Sequence, residues 1–276
     1  MSFILAILFI LVLILLVQWL RWRPMDLAIF FGTHILRYGH RGAKKYEPEN
    51  TVAAFKRAIK DGCDGVELDV HLTVDGTLAV IHDKSLGRTT DHTSSIADLT
   101  REQLHTINAA ALWPGRQEPI PTLDEVVESL PNHAIINIEI KDYKFLASPR
   151  TERAVVDAIH TLDLKSRVVV SSFYPLVLQR IKRLDPKIPT ALIWEYTDWR
   201  HWLVPLFLLL ARPDILHPCH LAIYPWTRWL ARVKGVVMQV WVVNEPERMV
   251  QLSHDPLIKG IMSDDTRLLT ETLTNH

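Results

Sequence analysis

After residue 34 the chain alternates short apolar runs with amphipathic stretches, and it does so eight times. The runs are Ile35–Tyr38, Gly65–His71, Ile135–Ile140, Val168–Ser172, Ala191–Glu195, Asp214–His217, Val237–Val243 and Gly260–Ser263. All are short enough for buried strands. Between most of them, apolar residues recur at helical spacing. Val52, Phe55, Ala58 and Ile59 follow Asn50 or Thr51 as a cap, with Gly62 as the stop; Arg150–Leu162, Leu176–Leu184 and Glu247–His254 repeat the pattern. Eight β-then-α units predict an α/β fold, a (β/α)8 TIM barrel. An open doubly wound sheet is the rival. It usually carries a Gly-rich phosphate turn after its first strand, and none follows residue 38.

The first residues obey a different rule. Phe3 to Val17 contain no polar side chain, and Arg21-Trp22-Arg23-Pro24 closes the run. A cleaved signal needs a basic start and a small-residue cleavage site, and both are missing. The expectation is one N-terminal transmembrane helix over residues 1–23, ahead of a barrel over 35–276. Arg21 and Arg23 would mark the cytoplasmic side, which puts a single-pass anchor in the membrane and the barrel in the cytoplasm.

Thirty-one basic residues balance thirty-one acidic ones, which argues against nucleic acid as a partner. Two cysteines, Cys63 and Cys219, cannot build a disulfide framework or a structural zinc site. Nothing in the sequence calls for an obligate protein partner.

The longest connection, Leu72 to Ala134, follows the second strand and opens with a hairpin signal, Asp75-Gly76 between two apolar runs. With those two as the central turn residues, Val74 faces Thr77, and counting outward Asp69 faces His82. In strands, residues two apart share a face. Glu67 and Asp69 therefore share one face of the second strand, opposite Val66, Leu68 and Val70. Asn137, Glu139 and Lys141 do the same on the third. The apolar faces suit the helices, so the acids point into the barrel mouth, at strand ends where barrel enzymes keep their sites. Converging carboxylates raise each other's pKa, and a divalent cation relieves that. All-oxygen ligands favour Mg²⁺ or Ca²⁺. His40-Arg41-Gly42 follows the first strand and offers a proton carrier beside a phosphate-binding guanidinium.

At this point the sequence resembles the glycerophosphodiester phosphodiesterases. The residues that carry the resemblance are His40-Arg41-Gly42, Pro48-Glu49-Asn50-Thr51, Glu67-Leu68-Asp69-Val70, His82-Asp83 and Ile138-Glu139-Ile140-Lys141. Weaker matches are Ser171-Ser172-Phe173, Trp241-Val242-Val243-Asn244 and Ser263-Asp264. The resemblance implies a TIM barrel with an insertion after the second strand. It implies that Glu67, Asp69 and Glu139 bind the metal, that His40 and His82 form the acid–base pair, and that Arg41 and Lys141 hold the phosphate. The implied activity is a metal-dependent phosphodiesterase. It would hydrolyse glycerophosphodiesters to glycerol 3-phosphate and an alcohol, or, as in some membrane-anchored relatives of lysophospholipase D type, lysophospholipids to lysophosphatidic acid. The nucleophile is water or the substrate's own adjacent hydroxyl. The proline often seen two residues after the terminal aspartate is missing here, so Asp264 is assigned no catalytic role. The alternatives are a non-catalytic, membrane-tethered barrel that binds lipid headgroups and a phospholipase C-like lyase.

Two further residues are expected to line the substrate pocket, Trp241 and His217. Five of the nine tryptophans fall between Trp194 and Trp229, around the apolar stretch Trp202–Ala211. That stretch is either a buried helix or an interfacial segment with Trp199, Trp202, Trp226 and Trp229 at headgroup level.

Overall fold

The structure, a computed structural model, describes residues 2–27, 32, 34–141 and 149–275. Met1 and His276, the outer ends of the two expected ranges, lie outside them. Eight parallel strands close into a barrel: β1 (Leu36–His40), β2 (Gly65–Leu72), β4 (Ile135–Ile140), β5 (Val168–Ser172), β6 (Thr190–Trp194), β7 (Ile215–Pro218), β8 (Val237–Val240) and β9 (Ile258–Ser263). They pair in that order, and β1 completes the ring by pairing with both β2 and β9. The expected TIM barrel is therefore present.

The period-two pattern explains the layers. Val66, Leu68 and Val70 of β2 and Ile136, Ile138 and Ile140 of β4 are buried in one cluster with Phe55 and Ala58 of α2 (Val52–Lys60) and Val155 and Ile159 of α5 (Arg150–Thr161). Each of the Val, Leu, Ile and Phe side chains among them contributes ~1.5–3 kcal/mol on burial. Thr51 caps α2 by accepting the Ala54 N–H at 3.2 Å. Inside the barrel, Leu36, Tyr38, Val169, Ala191, Ile215 and Met262 form an apolar plug, so the polar mouth sits on a closed floor.

The insertion carries the antiparallel strand β3 (Leu78–Val80), the short helix α3 (Arg101–Leu104) and α4 (Leu123–Ser129). It packs its own small core around Leu86, Ile96, Leu104 and Ile120. The hairpin register differs from the expected one. Thr73 N–H bonds to Thr77 O and Val70 pairs with Val80, so three residues, Val74 to Gly76, make the turn. Gly76 takes the left-handed φ of +86° that a three-residue loop requires. One extra loop residue shifts the pairing by one. Ile81, not His82, donates its N–H to the Asp69 carbonyl, and His82 lies beyond the end of β3.

The N-terminal helix α1 runs Ser2–Arg21. Among the described residues no helix is long and apolar enough to cross a membrane. The expected single-pass anchor over 1–23 is therefore not supported. The end of α1 belongs to the barrel instead. Trp22 is buried and donates its indole N–H to Pro213 O at 2.8 Å. Trp19 stacks on Trp229 of α8 (Pro225–Lys234), with the Lys234 ammonium 3.8 Å from the Trp19 ring centre.

The stretch after β6 divides its two readings. In α7 (Val204–Ala211) the residues Val204, Leu208 and Ala211 are buried, whereas Trp199, Trp202 and Leu206 stand exposed, Trp202 at 78 %. Trp226 turns onto the core and stacks with Tyr224.

Candidate active site

At the C-terminal ends of the strands lies a cavity of about 330 Å³. Strand register builds it. His40 pairs with Glu67 across β1 and β2, and Asp69 pairs with Glu139 across β2 and β4. One carboxylate oxygen from each of Glu67, Asp69 and Glu139 lies within 4.8 Å of the other two. Glu67 Oε1 is buried with no hydrogen-bond partner. Asp69 Oδ1 and Glu139 Oε1 face the Lys141 ammonium at 3.1 and 2.7 Å. Three buried carboxylates around one point, one of them with an orphaned oxygen, fit a hard divalent cation.

The electrostatics agree. Burial, then the charges of Asp69 and Glu139, hold the Glu67 carboxyl well above its ordinary value. Glu139 is pushed up to about 7, by burial first and with Lys141 opposing. Burial acts on Asp69 too, but the Lys141 and Arg41 cations outweigh it and hold that group ionised.

Two cations reach into this cluster. The Arg41 guanidinium lies 3.4 Å from Asp69 and bonds Glu49 at 3.0 Å, and its backbone N–H bonds Glu67 at 2.9 Å. The His40-Arg41-Gly42 turn is tight: Arg41 has φ +54° and Gly42 φ +80°. A Cβ on Gly42 would stand 2.6 Å from the Ala54 backbone, so only glycine lets the turn approach α2. Asn50, also left-handed, bonds Asp69 through its amide at 2.8 Å.

Both histidines are held the same way. His40 Nδ1 lies 2.7 Å from Asp264 Oδ1, and His82 Nδ1 lies 2.6 Å from Asp83 Oδ1. In each case the proton sits on Nδ1, assigned from that bond, which leaves Nε2 as the free nitrogen. Burial lowers both pKa values, that of His82 to about 4. The shifted hairpin register does not remove His82 from the site. The buried His71 ring bonds its carbonyl at 3.0 Å, and His82 lines the cavity with His40, Arg41, Glu67, Glu139 and Lys141.

His217 and Trp241 line the cavity as well. Trp241 lies one residue past the end of β8, earlier than the expected strand end at Val243. Its ring meets Phe173 edge-on at 5.8 Å. His217 is fully buried, its pKa lowered to about 3 by burial and then by His40.

Sequence reasoning missed several partners. Asp264, assigned no role, is the carboxylate on His40. Asn244 holds it in place, bonding Asp264 Oδ2 at 3.3 Å and accepting the Asp264 N–H at 3.0 Å. Glu49 and Asp83 stood inside quoted motifs without a role, and Asn50 was read only as a possible helix cap. The signal was there: polar residues flanking each histidine or arginine motif. Of the apolar wall of the cavity, Phe173 stood in the Ser171-Ser172-Phe173 match without a role, and Ile193 and Met262 carried no signal apart from their places at strand ends.

The Glycerophosphoryl diester phosphodiesterase family matches residues 40–268. A glycerophosphodiester phosphodiesterase of Caldanaerobacter subterraneus subsp. tengcongensis is 36 % identical over 242 residues, 86 % of this chain and 95 % of that one. An Oleispira antarctica phosphodiesterase, solved with the product sn-glycerol-3-phosphate, superposes with a TM-score of 0.73 at 26 % identity, covering 87 % and 96 % of the two chains. A glycerophosphoryl diester phosphodiesterase fold from Silicibacter pomeroyi superposes at 0.75 and 21 % identity over 94 % and 97 %.

Proposed function

The chain belongs to the glycerophosphoryl diester phosphodiesterase family, and from that membership we propose that its cavity hydrolyses glycerophosphodiesters to glycerol 3-phosphate and an alcohol. The observation that carries the reading is the pair of histidines. Each is backed by a carboxylate, and both border one cavity with a buried carboxylate trio and two cations.

The roles follow from charge. A phosphodiester carries one negative charge, which grows as the attacking oxygen adds to phosphorus. Arg41 and Lys141 supply fixed positive charge to the phosphoryl oxygens. The attacking group is water or the substrate's adjacent hydroxyl. One histidine accepts its proton at Nε2, and the other gives a proton to the departing alkoxide as the phosphorus–oxygen bond breaks. Glu67, Asp69 and Glu139 would hold Mg²⁺ or Ca²⁺, which would supply further positive charge to the phosphoryl group. The product complex of the Oleispira protein supports glycerol 3-phosphate as the product.

A second reading, hydrolysis of lysophospholipids at or near a bilayer, rests on the far wall. Phe173 and Ile193 continue from the catalytic cavity into a recess bounded by Val204 and Phe207, next to the exposed Trp199 and Trp202. The exposed apolar residues of α1 and of the stretch from Trp199 into α7 would associate with lipid, with the barrel on the cytoplasmic side of Arg21 and Arg23.

The test is product analysis. The full-length protein is incubated with glycerophosphocholine and with lysophosphatidylcholine, in Mg²⁺, in Ca²⁺ and in chelator. Glycerol 3-phosphate plus choline is expected from the first. No turnover of either substrate with either cation would sink the reading.

A further inference from the structure

We propose that the base of the barrel carries a second anion site, distinct from the catalytic cavity, for a phosphate group such as an anionic phospholipid headgroup displays. It is a cavity of about 320 Å³ where the end of α1 meets α6 (Pro175–Leu184) and the end of α7. Arg21, Arg23, Lys182, Arg183 and Arg212 line it, with Asp214 as its single carboxylate. Asp214 immediately precedes β7, so this cavity opens at the N-terminal ends of the strands, the opposite end from His40 and Glu139. The two cavities share no lining residue.

The plainer explanation is that cations at helix C-termini offset the helix dipoles. Arg21 stands in the last turn of α1, and Lys182 and Arg183 in the last turn of α6. Magnitudes decide against it as the whole account. Five cations against one carboxylate leave four positive charges. Three helix C-termini at about half a charge each offset roughly one and a half of them. Asp214 is also already engaged. It pairs with Lys182, and it accepts the backbone N–H groups of Met25 at 3.0 Å and Thr190 at 2.9 Å. That leaves the four arginines, and among the described residues none of them forms an ion pair.

Arg212 adds a second observation. It ends α7 with φ +48° and ψ +55°, a conformation that costs an ordinary residue roughly 1–2 kcal/mol and suits glycine or asparagine. The chain carries an arginine there, and its half-buried side chain lines the cavity. Guanidinium groups bind phosphate oxygens bidentately, which a general surface charge does not require.

The phosphate has two sources, a lipid headgroup or a free phosphate. The exposed apolar residues next to Arg21, Val17 and Leu20, would lie against acyl chains in the first case.

The experiment follows thermal unfolding of the full-length protein in neutral-detergent micelles. The probes are inorganic phosphate, micelles doped with phosphatidate, and micelles doped with phosphatidylcholine. Wild type is compared with the double variant Arg183→Glu/Arg212→Glu. Phosphatidate or inorganic phosphate should raise the wild-type midpoint, and the variant should need about tenfold more probe for each reversed charge. A response to phosphatidate alone assigns the site to lipid; an equal response to inorganic phosphate assigns it to a soluble phosphate. Phosphate held by Arg41 and Lys141 is unaffected by the double variant, so only the difference between the proteins reports on this site. If the double variant does not fold, Arg23→Glu, at an exposed position, serves instead with the same single-reversal expectation. Hydrolysis of glycerophosphocholine should be unchanged in all variants. Identical responses of wild type and variant, no response of wild type to either phosphate probe, or an equal response to phosphatidylcholine would overturn the proposal.

Discussion

The Asp264 carboxylate bonds His40 at 2.7 Å across 224 residues of sequence. The aspartate is itself clamped, with Lys44 at 3.2 Å and Asn244 at 3.3 Å. Burial acts against its ionisation, but the His40 bond and the nearby cations hold its pKa down to about 2. A fixed carboxylate on Nδ1 orients the ring and favours its protonated form once Nε2 takes a proton. Asp264→Asn should therefore lower kcat by about 10²-fold or more while KM and the melting temperature change little. A variant that turns over like wild type would remove the positioning role, and a joint fall in Tm and kcat would make the bond structural.

His82→Ala should lower the rate by about 10²–10⁴-fold with little loss of folding, because the side chain is half-buried beyond the end of β3. Asp83→Asn should give a smaller loss, since it leaves the imidazole in place. Wild-type rates in a well-folded His82→Ala would show that another group carries the proton.

Added Mg²⁺ or Ca²⁺ should raise the Tm of the metal-free protein, because a ligand that binds only the folded state stabilises it. Glu67→Gln and Glu139→Gln should each abolish that rise and most of the turnover. Full activity in excess chelator would refute the assignment of Glu67, Asp69 and Glu139 to a metal.

Asp185 gives a stability test away from the site. Its carboxylate accepts the Lys187 N–H at 2.9 Å and meets His160 and Lys165, and its pKa falls from 3.8 to about 2. A depressed carboxyl contributes stability that is present above its unfolded value and lost as the pH falls towards its folded one. Asp185→Asn should lower Tm at pH 7, and the gap to wild type should narrow steadily below about pH 4. A gap that stays constant down to pH 2 would mean that charge is not the cause.

Replacing Trp199, Trp202 and Leu206 with serine should leave Tm nearly unchanged, since all three are exposed, but should reduce sedimentation with liposomes and slow lysolipid hydrolysis more than glycerophosphocholine hydrolysis. Leu208 is unsuitable for such a test because it is buried and its loss would cost about 2–5 kcal/mol in packing. Unchanged sedimentation would show that this face does not meet lipid.

The barrel and most of the cavity were legible in the sequence because both rest on local rules. Strand period alone sends Glu67, Asp69, Glu139 and Lys141 to one side and Val66, Leu68, Ile138 and Ile140 to the other, and eight repeats of the unit leave few other folds. The hairpin register was not legible. The Asp75-Gly76 signal marks a turn without counting its residues, and one extra loop residue moved Asp69 from His82 to Ile81. Nor was the partner of His40. Asp264 reaches it only because β9 closes on β1, pairing Gly39 with Ser263, and that closure is a property of the whole ring. Whether α1 ends as a free helix or as part of the barrel was decided in the same way. Its apolar run marks a helix that must be covered, but the seat of Trp22 under Pro213 exists only after α7 and α8 have packed. Local periodicity is written residue by residue along the chain, whereas contacts between its distant ends depend on the summed twist and packing of everything between them.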